Sequence, residues 1–383
     1  MRALILVGAT LLLAISCSPA STPTAAHTAV PSPSPRATAS PSASPSALPR
    51  AATYGLLIVD SATGRRLEMI TPDGRVGASA PIGLPALQTC IPGLRASLQP
   101  PVSATSDRIY YRDGDTKIRY LTPTGESGDA TTVPGNTTTI SFFSVSPDDT
   151  RIAVLVEDFA GAGTIALRLY VEDVTGGGHH LDIYKSTTPK SAFATTLWPM
   201  GWHNSQLVLA QVKGCTNDAN SFSPSEWHLA SATTGTRTAT IRVSGVLANC
   251  ILSFWPSAHG VACVDQTRAA IAGWNGTYGS PFVVPSADWP KLESAISPNG
   301  DEILFATGRG GVCDGACPVY FTAVTSSTGD RYGNLDGVSP ACLWIDDGHL
   351  LTPDAVLTVG SNQLMRKALP ASGVCAGRFP GGL

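Results

Sequence analysis

Ser146-Pro147-Asp148-Asp149-Thr150-Arg151-Ile152-Ala153-Val154 and Ser297-Pro298-Asn299-Gly300-Asp301-Glu302-Ile303-Leu304-Phe305 are two copies of one pattern. A short polar turn delivers the chain into an apolar run. Pro presets φ, Asp or Asn bonds to nearby backbone, and Gly takes the positive-φ position, so the turn reverses the chain. The β-branched and aromatic residues that follow have the composition of a strand. The first copy runs on through Leu155-Val156-Glu157-Asp158 to RLYVEDVTGG at 168–177, the second to YFTAVTSSTG at 320–329.

Working outward, YGLLIVDSATGRRLEMITPDGRVGASAPIG from Tyr54 aligns with DRIYYRDGDTKIRYLTPTGESGDATTVPG from Asp107. Both read strand, polar turn, strand, Thr-Pro-x-Gly turn, strand. Weaker copies start at Trp202-His203-Asn204, at Ser257-Ala258-His259-Gly260 and at Asp346-Asp347-Gly348-His349. The units recur at roughly 40 to 55 residues, the period of propeller blades when every unit is made of strands. These turns followed by apolar strands resemble the WD-like propeller repeats of the TolB type. That resemblance implies an all-β propeller with a tendency toward protein binding, and it carries over no catalytic residue. Seven four-stranded blades are expected, with six as the alternative count. Little apolar sequence precedes Tyr54, so the first unit begins at a second strand. Its missing inner strand is expected from Ala371 to Phe379, which would close the ring.

The first residues read as an export signal. Met1-Arg2 supplies positive charge, and Ala3 to Ala14 is an apolar stretch of twelve residues. A span needs about 20, so this length suits a secretory signal instead. Leu13-Ala14-Ile15-Ser16-Cys17 resembles a bacterial lipobox, although Ala14 stands where that motif usually has Leu. The resemblance implies lipidation of Cys17 and a place on the outer surface of the cell membrane. An ordinary cleaved signal, giving a secreted protein, is the alternative. Residues 18–52 are dominated by Pro, Ser, Thr and Ala, with Arg36 and Arg50 as the fixed charges. Such a segment cannot offset its ordering entropy and reads as a disordered linker. Residues 53–383 form the propeller. A net charge of −3 and a pI near 6.1 give no basic footprint for nucleic acid.

Nine cysteines are present, and setting Cys17 apart leaves Cys90, Cys215, Cys250, Cys263, Cys313, Cys317, Cys342 and Cys375. An even set in an exported chain points to disulfides. Cys250 with Cys263, and Cys342 with Cys313 or Cys317, are the pairings suggested by position. On the blade assignment all eight project to one face, the face of the second-to-third-strand loops and blade connections. The longest insertions, Gln211–Ser225 and Gly308–Pro318, fall there too. Disulfides would restrict such loops.

No G-x-S-x-G, H-E-x-x-H, phosphate loop or full calcium loop occurs. Arg112-Asp113-Gly114-Asp115 has calcium-like letters but reads as a solvated hairpin turn. His179-His180 reads as a polar turn, and His203, His259 and His349 as repeat residues at matching turns. Trp227, Trp255 and Trp344 belong to the core by their strand contexts. Trp274 and Trp289 have Gly, Asn or Pro neighbours and, with Asp265 and Asp314, are the candidate ligand-face residues. The expectation is a monomeric, non-enzymatic, membrane-tethered binding or scaffold module without cofactor or metal. Its partner would be a protein or a cell-envelope polymer, and its lipid the only membrane contact. The alternative is a propeller hydrolase or lactonase-like enzyme with a polar site in the central channel. Its candidate acids are Asp288, Glu293 and Asp336, with Glu157, Asp158 and Asp265 near other loops.

Overall fold

The computed structural model describes residues 53–98, 102–217, 224–242, 250–265, 268–283, 291–309, 319–328, 331–332, 343–360 and 364–376. The chain divides into Met1–Ala47 and Leu48–Leu383. Cys17 and the linker lie outside the described residues, as do Trp289, Cys313, Asp314, Cys317 and Cys342.

The named elements are all strands. In chain order they begin with β1 (Gly55–Ser61), β2 (Gly64–Ile70), β3 (Val76–Pro81), β4 (Thr89–Ile91) and β5 (Leu94–Ala96). Next come β6 (Val102–Ala104), β7 (Ile109–Asp113), β8 (Lys117–Leu121), β9 (Ser127–Thr132), β10 (Thr139–Val145), β11 (Arg151–Asp158), β12 (Thr164–Asp173) and β13 (Leu181–Pro189). The middle of the chain gives β14 (Thr195–His203), β15 (Gln206–Lys213), β16 (Cys215–Thr216), β17 (Glu226–Ser231) and β18 (Arg237–Arg242). Then follow β19 (Ile251–Leu252), β20 (Val261–Val264), β21 (Arg268–Ala272), β22 (Phe282–Val283), β23 (Lys291–Ile296), β24 (Glu302–Arg309), β25 (Val319–Ser326) and β26 (Arg331–Tyr332). The last are β27 (Leu343–Asp346), β28 (His349–Leu351), β29 (Ala355–Val359), β30 (Leu364–Ala368) and β31 (Val374–Cys375).

Among the described residues these strands pair into seven four-stranded antiparallel sheets and one three-stranded sheet. The first sheet has the order β31-β1-β2-β3, and the second and third are β6 to β9 and β10 to β13. The fourth is β14-β15-β17-β18, followed by β19 to β22, β23 to β26 and β27 to β30. One sheet per sequence repeat, with the C-terminal strand returning to the first sheet, is a β-propeller. The return is the one expected: Cys375 sits opposite Leu57 and Val374 opposite Ile58. Ala376 N–H then donates to Leu56 O at 3.1 Å.

The repeat turns carry one hydrogen-bond pattern. Ser146 Oγ donates to Asp148 Oδ1 at 2.6 Å and accepts from Arg151 N–H at 2.9 Å. Ser297 Oγ does the same with Asn299 Oδ1 at 2.7 Å and Glu302 N–H at 3.0 Å. The position after Asp or Asn is left-handed in both, Asp149 at φ 61° and Gly300 at φ 82°. Gly300 is at home there; Asp149 tolerates it as Asp and Asn do. Both turns join a first strand to a second, β10 to β11 and β23 to β24.

Apolar faces of neighbouring sheets form the core, with Trp198, Trp227 and Trp344 fully buried. Burial of rings this large leaves each indole N–H in need of an acceptor. Two inner-strand tryptophans find it on the preceding inner strand. Trp202 Nε1 donates to Ser144 O and Trp344 Nε1 to Ala295 O, both at 3.3 Å. Val145 N–H donates to Ser103 Oγ at 2.9 Å, tying β10 to β6. Trp255, expected in the core, is partly buried between two apolar clusters.

Removal of residues 371–383 takes away β31 and leaves β1 as an open inner edge. Its thermal unfolding is expected at a midpoint lower by about 5 °C or more, read by far-ultraviolet circular dichroism. An unchanged midpoint would contradict closure through β31.

Candidate functional site

Alternating strand direction gives the propeller two unlike faces. One carries the tight turns just described, together with the Thr71 to Gly74 and Thr122 to Gly125 turns. In these, Gly74 and Gly125 sit at φ 76° and 88°. The other carries second-to-third-strand loops and the connections between sheets, and there the chain builds an extra layer.

The connection from β3 to β6 is the source of that layer. Gly83 N–H donates to Asp113 Oδ1 at 2.9 Å and Ala86 N–H to Asp115 Oδ1 at 2.8 Å, pinning it to the β7–β8 turn. The Arg-Asp-Gly-Asp letters are therefore anchors and not a merely solvated turn. Arg112 works from beneath: its buried guanidinium donates to the carbonyls of Gly114, Asp115 and Ser141. The chain passes Asn136, whose carbonyl accepts from Gln88 Nε2 at 3.3 Å. It then forms the β4–β5 hairpin around Pro92-Gly93, with Gly93 at φ 84°.

The hairpin ends beside the fourth sheet, on the strand that follows β15. β5 pairs with β16, Ala96 opposite Cys215 and Arg95 opposite Thr216. Ser97 N–H donates to Gly214 O at 3.2 Å, and Gly214 N–H to Ala194 O at 2.8 Å. A disulfide joins Cys90 to Cys215, with Cα atoms 6.0 Å apart, and both cysteines are buried. Residues 82–98 thus form a strap from the first sheet, past the second and third, to the fourth. The stretch leading into the hairpin leaves Leu84 and Leu87 exposed, and next to Ala194 stands Phe193, 90% exposed. Arg95 is the single charged residue in 82–98.

Cys250 and Cys263 also form a disulfide, across β19 and β20 with Cα atoms 5.3 Å apart. Cys375 is disulfide-bonded as well. The candidates Cys313, Cys317 and Cys342 lie outside the described residues.

Trp274 is corrected. It is 6% exposed, because the Gly273–Thr277 turn folds its indole inward. Nε1 donates to Ser257 O at 2.9 Å, and the ring lies near those of His203 and Trp227. It is core and offers no ligand platform. Asp265 caps its own turn, accepting from Arg268 N–H at 2.7 Å and pairing with the guanidinium at 3.3 Å.

Of the acids weighed for an enzyme, the described ones each have local surroundings of their own. Asp158 accepts from Ala160 N–H at 2.9 Å, and Asp265 is engaged as above. Glu157 is buried between the third and fourth sheets. Burial pushes its carboxyl up to about 7, against the weaker opposing pull of the nearby Thr196 hydroxyl and Trp198 indole N–H. Asp288, Asp336 and the side chain of Glu293 lie outside the described residues. His179 and His180 bond separately, to Asp173 and Glu172, each at 2.9 Å. His203, His259 and His349 all fall at first-to-second-strand turns, with His259 Nε2 2.9 Å from Pro298 O on the next sheet's turn. Among the described residues no group of three His, Cys, Asp or Glu side chains is placed to hold a metal.

No protein-family model matches the chain, and no curated protein matches it. Solved structures do. A protein from Lactobacillus plantarum is 10% identical over 84% of this chain and 98% of its own, with a TM-score of 0.43. A chain of the mitotic checkpoint complex is 12% identical over 73% of this chain and 78% of its own, at 0.44. The WD40 domain of SCAP from fission yeast is 11% identical over 80% and 93%, at 0.32. Likeness this distant says nothing about function, and the propeller assignment rests on the sheets themselves.

The two described disulfides differ in the loops they close, with sequence separations of 125 and 13. Loop-closure entropy predicts about 5 kcal/mol for the first and about 3 for the second. C90S/C215S is therefore expected to lower the denaturant midpoint more than C250S/C263S, in equilibrium unfolding followed by tryptophan fluorescence. The reverse order would contradict a strap that restrains the ring.

Proposed function

We propose that this chain is an exported, lipid-tethered and non-enzymatic propeller that captures a protein partner on its strapped face. The observation that carries this reading is a disulfide-fixed strap with a single charged residue that leaves Leu84 and Leu87 exposed, with Phe193 exposed next to Ala194 at the strap's anchor. Rigid backing lowers the ordering cost of binding, and an exposed aromatic on a fixed frame is the kind of anchor that dominates protein interfaces. Two cysteine pairs at disulfide distance support an oxidising compartment, in keeping with an exported chain. The lipobox-like Cys17 would supply the tether. The linker would supply the reach, on the order of 100 Å if its 35 or so residues were extended at about 3.1 Å each. A channel enzyme is the weaker reading, because the described candidate acids are each occupied by a local partner or buried between sheets.

A photo-crosslinking residue at Phe193 tests the face in intact cells. It should give a discrete protein adduct that disappears in the L84S/L87S background, while the same residue at Val76, on the turn face, gives none. Adducts of equal yield at both positions, or adducts to envelope polymer alone, would overturn the proposal. Loss of membrane association in Cys17→Ala is expected in the same cells.

A further inference from the structure

Glu157 is the only carboxylate among the fully buried side chains of the described residues, at 1% exposed. It lies near the loop-face end of β11, in register with Ile140 and Leu167. Strand alternation puts it on the side of Ala153 and Leu155. Those two belong to the apolar cluster that also contains Trp198, Ala194, Cys90, Ala96 and Cys215. The carboxyl therefore sits in the seam between the third and fourth sheets, against the apolar cluster that the cysteines of the strap's disulfide also join.

Among the described residues no cation is placed against it. β10 brings Ile140 and Phe142, and β12 brings Ile165 and Leu167, all apolar. β14 brings the hydroxyl of Thr196 and the indole N–H of Trp198. The strap contributes Cys90, which is oxidised, and Ala96 to the same apolar cluster, neither of them charged. Lys190, on the β13–β14 connection, gives its ammonium to the Phe159 carbonyl at 2.5 Å. An ionised carboxylate held without a cation in such surroundings is costly, so the neutral acid is favoured.

The position also couples to the strap. Thr196 pairs with Val212 of β15, and Gly214 and Cys215, which hold the strap, follow immediately. We propose that Glu157 is a proton-operated latch: as the neutral acid it seats the third sheet against the fourth, and on ionising it loosens that seam together with the strap's anchorage. The direction follows from linkage. Burial holds the folded-state carboxyl at about 7, above its unfolded value of about 4.3. The folded chain then keeps a proton that the unfolded chain has released. Stability is fullest below the unfolded value, falls as pH rises between the two, and loses nothing further above the folded one. An exported protein in an acidic setting would present a firmer face than in an alkaline one. This consequence for capture rests on the strapped face being the binding surface; the titration does not.

Equilibrium unfolding of the disulfide-intact chain and of Glu157→Gln, from about pH 4.5 to 8.5, tests the latch. The folding constant of the native chain should fall relative to that of the amide variant by on the order of a hundredfold over this range. A constant ratio would overturn the proposal. Should the variant fail to fold, the carboxyl carbon resonance of labelled Glu157 in the native chain decides. A midpoint near 7 supports the latch, and one near the ordinary carboxylate value overturns it. Crosslinking at position 193 should in turn be stronger at acidic than at alkaline pH. If the titration is seen and the yield stays flat, the latch stands and its link to capture falls.

Discussion

A ring of sheets is stable only if its first and last sheets have no unpaired inner edge. In this protein that constraint falls on the pairing of β31 with β1, two register pairs long. Without it, Leu57 and Ile58 would carry unpaired backbone groups at the centre of the molecule, where such groups are costly. With it, every sheet has an inner strand, and neighbouring sheets can share cores and inner-strand links such as Trp202 to Ser144 and Trp344 to Ala295. Because the closing strand comes from the far end of the chain, no local folding step completes the ring.

Closure also fixes the difference between the two faces. The turn face is made of repeats of the same Ser or Thr turn and has little room to vary. The loop face is where the sequence departs from the repeat, and the strap is its largest described departure. Leaving the first sheet, it is anchored at three further places: Asp113 and Asp115 at the second sheet, Asn136 at the entry to the third, and Gly214 and Cys215 just after β15 of the fourth. A layer tied at so many points presents its exposed side chains in fixed relation to one another, the property a recognition surface requires.

Much of this was legible in the sequence, and the reasons are physical. The Ser-Pro-Asp-Asp and Ser-Pro-Asn-Gly turns announce themselves because φ at each position restricts the residue types allowed. Strand alternation follows, and with it the count of units and the return of the C-terminus. Cys250 and Cys263 are close in sequence across one hairpin, so their pairing is local. The strap was not legible, because the partner of Cys90 lies 125 residues away, and nothing local selects one distant cysteine over another. Asp113 and Asp115 looked like turn residues because their acceptors serve a segment some 30 positions earlier. Trp274 looked exposed for the opposite reason. Its Gly and Asn neighbours do form a turn, but the turn points the indole into the core. Glu157 was read as a loop acid, and a shift of a few residues at a strand end is enough to turn a solvated carboxylate into a buried one.

Backbone amide exchange of residues 88–98 and of β10 to β12, compared between the native chain and C90S/C215S, tests the strapped face most directly. Protection should fall in 88–98, where the remaining hydrogen bonds lose their covalent brace, while β10 to β12 keep theirs, as expected of a layer held onto a finished ring with the help of its disulfide. Equal protection of 88–98 in both chains would contradict a face that depends on the Cys90–Cys215 bond.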